Sequence, residues 1–137
     1  MRLFAKNTSI LSGEVDCPGD KSISQRAIII GALANQNISI TGFLNGEDPL
    51  STLSALNQIG ADISINNNEV TINERELTFS NPSNSIDLGN SGTGMRLIIG
   101  LIAGTGLKAT IIGDESLMKR PMSRVSIPLN EMGAKVA

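Results

Sequence analysis

Apolar positions in this chain come in short runs separated by glycine- and proline-bearing turns, and their spacing predicts alternating helices and strands. Residues 2–16 alternate loosely, with Ile10, Leu11 and Val15 apolar, and predict a strand pair bounded by Ser12-Gly13. Cys17-Pro18-Gly19 breaks that pattern. Ala27-Ile28-Ile29-Ile30-Gly31-Ala32-Leu33-Ala34 then predicts a helix capped by Asp20 or Ser22. Being apolar nearly all round, it should be buried on most sides. Ile38 to Phe43 reads as a strand, and Gly46-Glu47-Asp48-Pro49 as a turn with proline at the first helical position. Ser51 to Ile59 is a helix with Leu53, Leu56 and Ile59 on one face, stopped by Gly60. Ala61 to Ile65 and Glu69 to Asn73 form a hairpin around Asn66-Asn67-Asn68. Residues 74–84 are polar, with a short strand at Leu77 to Phe79.

The pattern then restarts. Ile86 to Leu88 is a short strand, Gly89 to Gly94 a glycine-rich turn, and Met95 to Ala103 a mostly apolar helix capped by Asn90 or Thr93. Ala109 to Ile112 is a strand. Pro121 to Glu131 is a helix with Val125, Leu129 and Met132 inward, stopped by Gly133, and Ala134 to Val136 begins another strand. Asn57-Gln58-Ile59-Gly60-Ala61-Asp62 is echoed by Asn130-Glu131-Met132-Gly133-Ala134-Lys135, and Thr41-Gly42 by Ile112-Gly113. So long a period suits duplicated α/β units better than a short-repeat solenoid. A β-α-β-α-β-β unit leaves a sheet face to cover, so further copies or a partner lobe are expected, and ending within a strand suggests a truncated chain.

Composition narrows the chemistry. The chain has 137 residues, a formal charge of -2, three Phe, no Trp and no Tyr, so Ile, Leu, Ala and Met must fill the core. No basic run with interleaved aromatics suggests nucleic acid. The longest apolar stretches, Ala27 to Ala34 and Leu97 to Gly104, fall far short of the roughly 18 residues of a membrane span. The N-terminus is no signal peptide. One cysteine and no histidine argue against a disulfide or a zinc site and favour a cytoplasmic setting. Cys17 reads as a small buried hydrophobe, and Met95, Met118, Met122 and Met132 as packing residues. Without histidine, acid–base chemistry would fall to Lys, Asp, Glu or a hydroxyl.

Three stretches could carry that chemistry. In Asp20-Lys21-Ser22-Ile23-Ser24-Gln25-Arg26, Ser22 and Arg26 share a helix face, and Lys21 adds a mobile charge beside the free N–H groups of the first turn. The same residues also suit an ordinary polar cap with two solvated cations. In Asn90-Ser91-Gly92-Thr93-Gly94-Met95-Arg96, Gly92 permits close approach of a ligand to the backbone, or the glycines serve turn geometry alone. Gly113 to Arg124 offers Lys119, Arg120 and Arg124. Arg120 is held extended by Pro121, and Asp114 and Glu115 are either ligand partners or a solvated turn. Lys21, Arg26, Arg96, Lys119, Arg120 and Arg124 are six of the eleven Lys and Arg, and together they would make a positive cleft for small anions.

With these motifs in this order, the chain resembles the N-terminal part of the EPSP synthase family of enolpyruvyl transferases. The match runs through Pro18 to Arg26, Leu88 to Arg96, Gly113-Asp114 with Lys119-Arg120-Pro121-Met122, and Leu129 to Val136. The resemblance implies a lobe of repeated β-α-β-α-β-β units, an inside-out α/β barrel, present here only in part. Residues 1–17 would be a strand segment of the other lobe, 18–84 the first unit, and 85–137 an incomplete second one. The implied activity is transfer of the enolpyruvyl group of phosphoenolpyruvate to the 5-hydroxyl of 3-phosphoshikimate, by addition and elimination, without metal or cofactor. It also implies a monomer. Lys21 would contact both substrates, Ser22 and Arg26 the phosphoshikimate, and Asn90, Gly92 and Arg120 the phosphoenolpyruvate. Asp48 and Thr93 are secondary candidates. The family's catalytic Asp and Lys-Glu pair come later in sequence, so this chain alone should be inactive, and Arg75, outside the motifs, should matter less to turnover than Lys21 or Arg120. UDP-N-acetylglucosamine enolpyruvyl transferase fits less well, usually pairing Lys with Asn where this chain has Lys21-Ser22, and a non-catalytic anion-binding repeat is the rival of another class. Two departures stand out. Gln25 occupies a position often held by His or Asn, and Gly94 one where Ala or Thr is common, an extra glycine that would loosen the pocket.

Overall fold

The computed structural model describes residues 3–7, 10–75 and 79–137. Helix α1 (Lys21–Ala34) starts at Asp20, whose extended backbone lets its carboxylate accept from the Ile23 N–H at 2.7 Å. It ends at Asn35, a short polar residue that tolerates the left-handed conformation (φ 50°). Strand β1 (Ile38–Ile40) leads to helix α2 (Glu47–Gln58), with Glu47 and Asp48 favourably placed in its first turn. Pro49 is the third helical residue rather than the first. It is still within the turn whose N–H groups have no intrahelical partner, so the ring costs no bond. Gly60, at φ 98°, stops α2 as expected.

Strands β2 (Ile63–Asn66) and β3 (Glu69–Ile72) form the hairpin, with Asn67 taking the positive φ of its turn. The sheet order is β1-β3-β2, antiparallel throughout. Val70 and Ile72 face the core, while Ser39, Ser64 and Thr71 face outward. In the second unit, β4 (Ile86–Asp87) pairs in parallel with β5 (Ile111–Ile112), joined through helix α3 (Gly92–Thr105). Helices α4 (Glu115–Met118) and α5 (Ser123–Glu131) follow.

Helices α1, α2 and α3 pack on one another, and the sheet lies against the first two. Helices inside and a sheet with a polar outer face outside match the expected inside-out arrangement. One cluster joins the elements on either side of residue 85: Ile28, Phe43, Leu56, Ile59, Val70, Ile72, Ile86, Leu88 and Ile98 are all essentially inaccessible.

Several expectations need correction. None of the described residues before Pro18 lies in a strand, and Leu3, Phe4, Ile10, Leu11 and Val15 are 77–90% exposed. A lone hairpin with no face to bury is not stable. The short strand at Leu77 to Phe79 lies outside the described residues except for Phe79. Strand β1 stops before Phe43, which enters the core from a loop tied by its N–H to the Asn68 carbonyl. Helix α1 leaves Ile23, Ile30 and Leu33 more than half exposed, so only one side is buried. Helix α5 buries no residue fully, and Met132 is exposed, as are Met118 and Cys17. Residues 134–136 form no strand, because the Asn130 amide clamps both the N–H and carbonyl of Val136. Helix α4 was not foreseen.

Arg75 joins the elements of the first unit at the end of α1 opposite Lys21. Its guanidinium donates to the carbonyls of Ala32 (2.8 Å) and Gly60 (3.0 Å) and lies 4.1 Å over the Phe79 ring. Asn35 and Arg75 exchange further bonds through their backbone and side chains. Burial lowers the guanidinium pKa from its usual value, although it stays charged. Arg75→Ala should therefore destabilise the complete gene product by about 2–3 kcal/mol, since two charge-assisted bonds to helix-end carbonyls are lost. Calorimetry should record a melting point lowered by roughly 3 °C; an unchanged value would mean the clasp contributes nothing. Arg75 is thus no neutral control for activity.

Candidate anion-binding site

The N-terminal ends of α1, α2 and α3 meet at one place. Lys21 Nζ lies 2.8 Å from Asp48 Oδ2, with the lysine side chain half exposed. One turn on, Gln25 is completely buried and its Nε2 reaches Ser91 Oγ (2.8 Å), Thr52 Oγ1 (2.9 Å) and the Asp48 carbonyl (3.1 Å). Thr52 in turn donates to the Asp48 carbonyl. Ser24, also buried, accepts from the Leu44 N–H and so fixes the loop after β1. Ser22 is half-buried. Arg26 is exposed and has no hydrogen bond or ion pair among the described residues.

At α3 the helix begins at Gly92, three residues earlier than expected, because Ser91 supplies the cap. Its Oγ accepts from the Gly94 N–H at 3.2 Å, a role expected of Asn90 or Thr93. Gly92 and Gly94 thus belong to the first helical turn. A Cβ at Gly92 would stand 2.8 Å from Arg120 Nη1 and 3.1 Å from Arg96 Nη1. Two guanidinium groups therefore face the same bare Cα, with Arg96 also donating to the Gly92 carbonyl.

Arg120 is held from below. It donates to the side-chain oxygen of Asn90 and, at 3.4 Å, to the Asn90 carbonyl. The Asn90 amide donates to Asp114 at 2.6 Å, and Asp114 accepts from the Leu117 N–H, capping α4. The Leu117 bond foremost, then Asn90, hold the Asp114 carboxyl below the usual carboxylate range. The stabilisation Asp114 draws from these bonds is fully present above the ordinary carboxylate pKa and is lost as pH falls through the lowered value. Asp114 serves the scaffold of the site. Glu115 pairs with Lys119 at 2.5 Å.

Among the expected site residues, Asn90, Gly92 and Arg120 come together, joined by Arg96. Lys21 and Asp48 are bound to this corner through Gln25 and Ser91. Thr93 is half-buried in the first turn of α3; among the described residues Lys119 pairs with Glu115, and Arg124 is exposed with no side-chain hydrogen bond or ion pair. The buried polar residues Gln25, Thr52 and Ser91 were missed. The available signal was a polar pair, Ser24-Gln25, at helical spacing ahead of Ile28 and Ile29 on the buried face of α1. Gly94 does not loosen the site: the space of its absent Cβ is taken by Ser91, Thr52 and Gln25. A groove of about 680 Å³ lies between α3, α5 and residues 133–137, walled by Met95, Ile99, Ile102 and Met122, and Arg120 of the corner lines it together with Lys108 and Lys135. Among the described residues no group of three or more His, Cys, Asp or Glu could hold a metal ion, and no helix is long and apolar enough to cross a membrane.

Packed helices and small sheets with three helix N-termini and two arginine forks at one corner define a partial α/β lobe with a candidate anion site. A family model described as EPSP synthase (3-phosphoshikimate 1-carboxyvinyltransferase) matches residues 5–137. The chain belongs to the EPSP synthase family. It is 42% identical over 137 residues to the 3-phosphoshikimate 1-carboxyvinyltransferase of Shouchella clausii, covering 99% of this chain and 32% of that protein. It is 48% identical over 136 residues to that of Ruthia magnifica, covering 98% and 31%. The solved EPSP synthase from Acinetobacter baumannii superposes with a TM-score of 0.83 at 43% identity, over 90% of this chain and 28% of that one. The chain spans about a third of the length of the curated relatives it matches.

Proposed function

We propose that this chain supplies part of the substrate site of an enzyme that transfers the enolpyruvyl group of phosphoenolpyruvate to the 5-hydroxyl of 3-phosphoshikimate. The observation carrying this reading is the pair of guanidinium groups set 2.8 and 3.1 Å from the place a Gly92 side chain would take. The forks fill the space a side chain at 92 would need, so glycine there lets two guanidinium groups lie side by side, where a planar carboxylate or a phosphate can meet both. Both named substrates are multiply anionic. Arg120, Gly92 and Asn90 serve the phosphoenolpyruvate side, with Arg96 beside them and Thr93 on the same turn. Ser22 and Arg26, one helix turn apart, serve the phosphoshikimate side, and Arg26 is unpaired among the described residues.

Lys21 lies between the two groups and neutralises charge on both, with Asp48 as its resting partner. The hydroxyl oxygen gives its proton to a base and adds to C2 of the enol phosphate while C3 takes a proton, and phosphate then leaves from the tetrahedral species as C3 gives up a proton again. Arg96 and Arg120, already held in place, stabilise the charge that moves in both steps without rearrangement, while Lys21 turns from Asp48 to join them. They do not themselves exchange the proton. Residues 18–84 and 85–137 act as consecutive units of one lobe, and the exposed segment before Pro18 as a strand of the other.

The test is direct. The complete gene product should release phosphate from the two substrates together and from neither alone, whereas the isolated 137-residue chain should not. Turnover by the isolated chain would overturn the division of labour. Calorimetric binding of phosphoenolpyruvate by a complete product without turnover would favour a non-catalytic anion-binding module.

A further inference from the structure

Gln25 makes its contacts through its donor end alone. Its side chain is fully buried, its Oε1 has no hydrogen-bond partner, and its Nε2 stands within 3.1 Å of three acceptors. A buried acceptor without a partner is unfavourable, and an aliphatic side chain of the same bulk would avoid that loss. What leucine would not provide is the link among three helices. Through one nitrogen, α1 holds the second turn of α2 at Thr52, the Asp48 backbone behind the Lys21 ion pair, and the Ser91 cap on which α3 begins. Ser91 directly precedes Gly92.

Gly94 makes room for this nitrogen. Its backbone is ordinary helix with no positive φ, so conformation does not require glycine, and glycine is unfavourable inside a helix. A Cβ there would stand 2.6 Å from Ser91 Oγ, 2.6 Å from Thr52 Oγ1 and 3.0 Å from Gln25 Nε2. No methyl group fits without moving the hub. The missing side chain at 94 and the long amide at 25 are therefore complementary in volume.

We propose that Gln25 and Gly94 form a matched pair that sets the spacing between the Lys21–Asp48 end of the site and the Gly92–Arg120 corner, with Gln25 as a positioning residue. This rests on the functional reading above, because the consequence of that spacing is alignment of two substrates gripped from opposite ends. A shift of the α3 terminus moves the seat at Gly92 relative to Lys21 without removing any cation from either.

The experiment compares four forms of the complete gene product: wild type, Gln25→Asn, Gly94→Ala, and the two together. Each is assayed with phosphoenolpyruvate and 3-phosphoshikimate varied separately, and each is melted. Gly94→Ala should raise KM for phosphoenolpyruvate about tenfold and lower kcat, with a much smaller change in KM for 3-phosphoshikimate. Gln25→Asn alone should do the same more weakly. In the double variant the amide retreats by one methylene as the methyl arrives, and kcat/KM should return to within about threefold of wild type. Independent, multiplicative losses in the double variant would overturn the pairing, as would a Gly94→Ala enzyme with unchanged constants. A wild-type product with no turnover would sink the functional reading instead. The pair is then judged by the melting points: a double variant more stable than Gly94→Ala supports it, and additive loss overturns it.

Discussion

Alanine at Arg120 or at Lys21 should lower kcat/KM of the complete gene product by about 10²–10³-fold, while alanine at Lys108, exposed and beyond the C-terminal end of α3, should leave it within about twofold. Arg120 is pre-set. Asn90 binds its guanidinium from two sides, and Asp114 fixes Asn90, so the fork meets an anion without first losing rotamer freedom. Arg120→Lys should recover little, because one ammonium cannot both hold Asn90 and face Gly92. Lys21 is different in kind. It is half exposed, bound to Asp48, and able to turn toward either substrate. Its loss should raise both Michaelis constants, whereas loss of Arg120 should fall mainly on phosphoenolpyruvate. Equal losses from Lys21→Ala, Arg120→Ala and Lys108→Ala would show that the cations act only as a diffuse field.

The second large effect comes from a single methyl group. Gly92→Ala should leave the melting point unchanged or slightly higher, since Gly92 has no positive φ and alanine favours a helix. The new Cβ nevertheless occupies the place where Arg120 Nη1 stands 2.8 Å away. The nearest neighbours are the ends of flexible side chains, so the fold can give way while the seat cannot. We expect kcat/KM for phosphoenolpyruvate to fall by about 10²-fold with the 3-phosphoshikimate constant little altered. A Gly92→Ala enzyme with wild-type kinetics would mean that no ligand meets the two forks here.

How much of this was legible depends on the distance over which each residue finds its partner. Helices α1 to α3 could be read because caps, apolar spacing and stops act within a few residues, as with Asp20 and Ile23 or Gly60 after Ile59. The cation-bearing turns could be read because charge is sparse elsewhere in the chain. Strand ends were read too long. Phe43 and Ala109 are apolar like strand residues, yet only pairing decides where a ladder stops, and pairing is non-local. The hub was invisible for the same reason: Gln25 bonds Thr52 and Ser91 across 27 and 66 positions. The helical spacing of Ser24 and Gln25 ahead of Ile28 and Ile29 indicates burial, but nothing near Gln25 in sequence points to its partners on the other two helices. The inward placing of Met132 failed because α5 packs along only part of its length, which periodicity does not report.

The Lys21–Asp48 pair bears on how binding should respond to salt. This ammonium already has a carboxylate at 2.8 Å, so an incoming anion exchanges one counter-ion for another instead of meeting a naked charge. Added electrolyte weakens the old partnership along with the new one. Affinity should therefore decline with ionic strength less steeply than the number of cations around the cleft would suggest, and Asp48→Asn should restore the steeper slope.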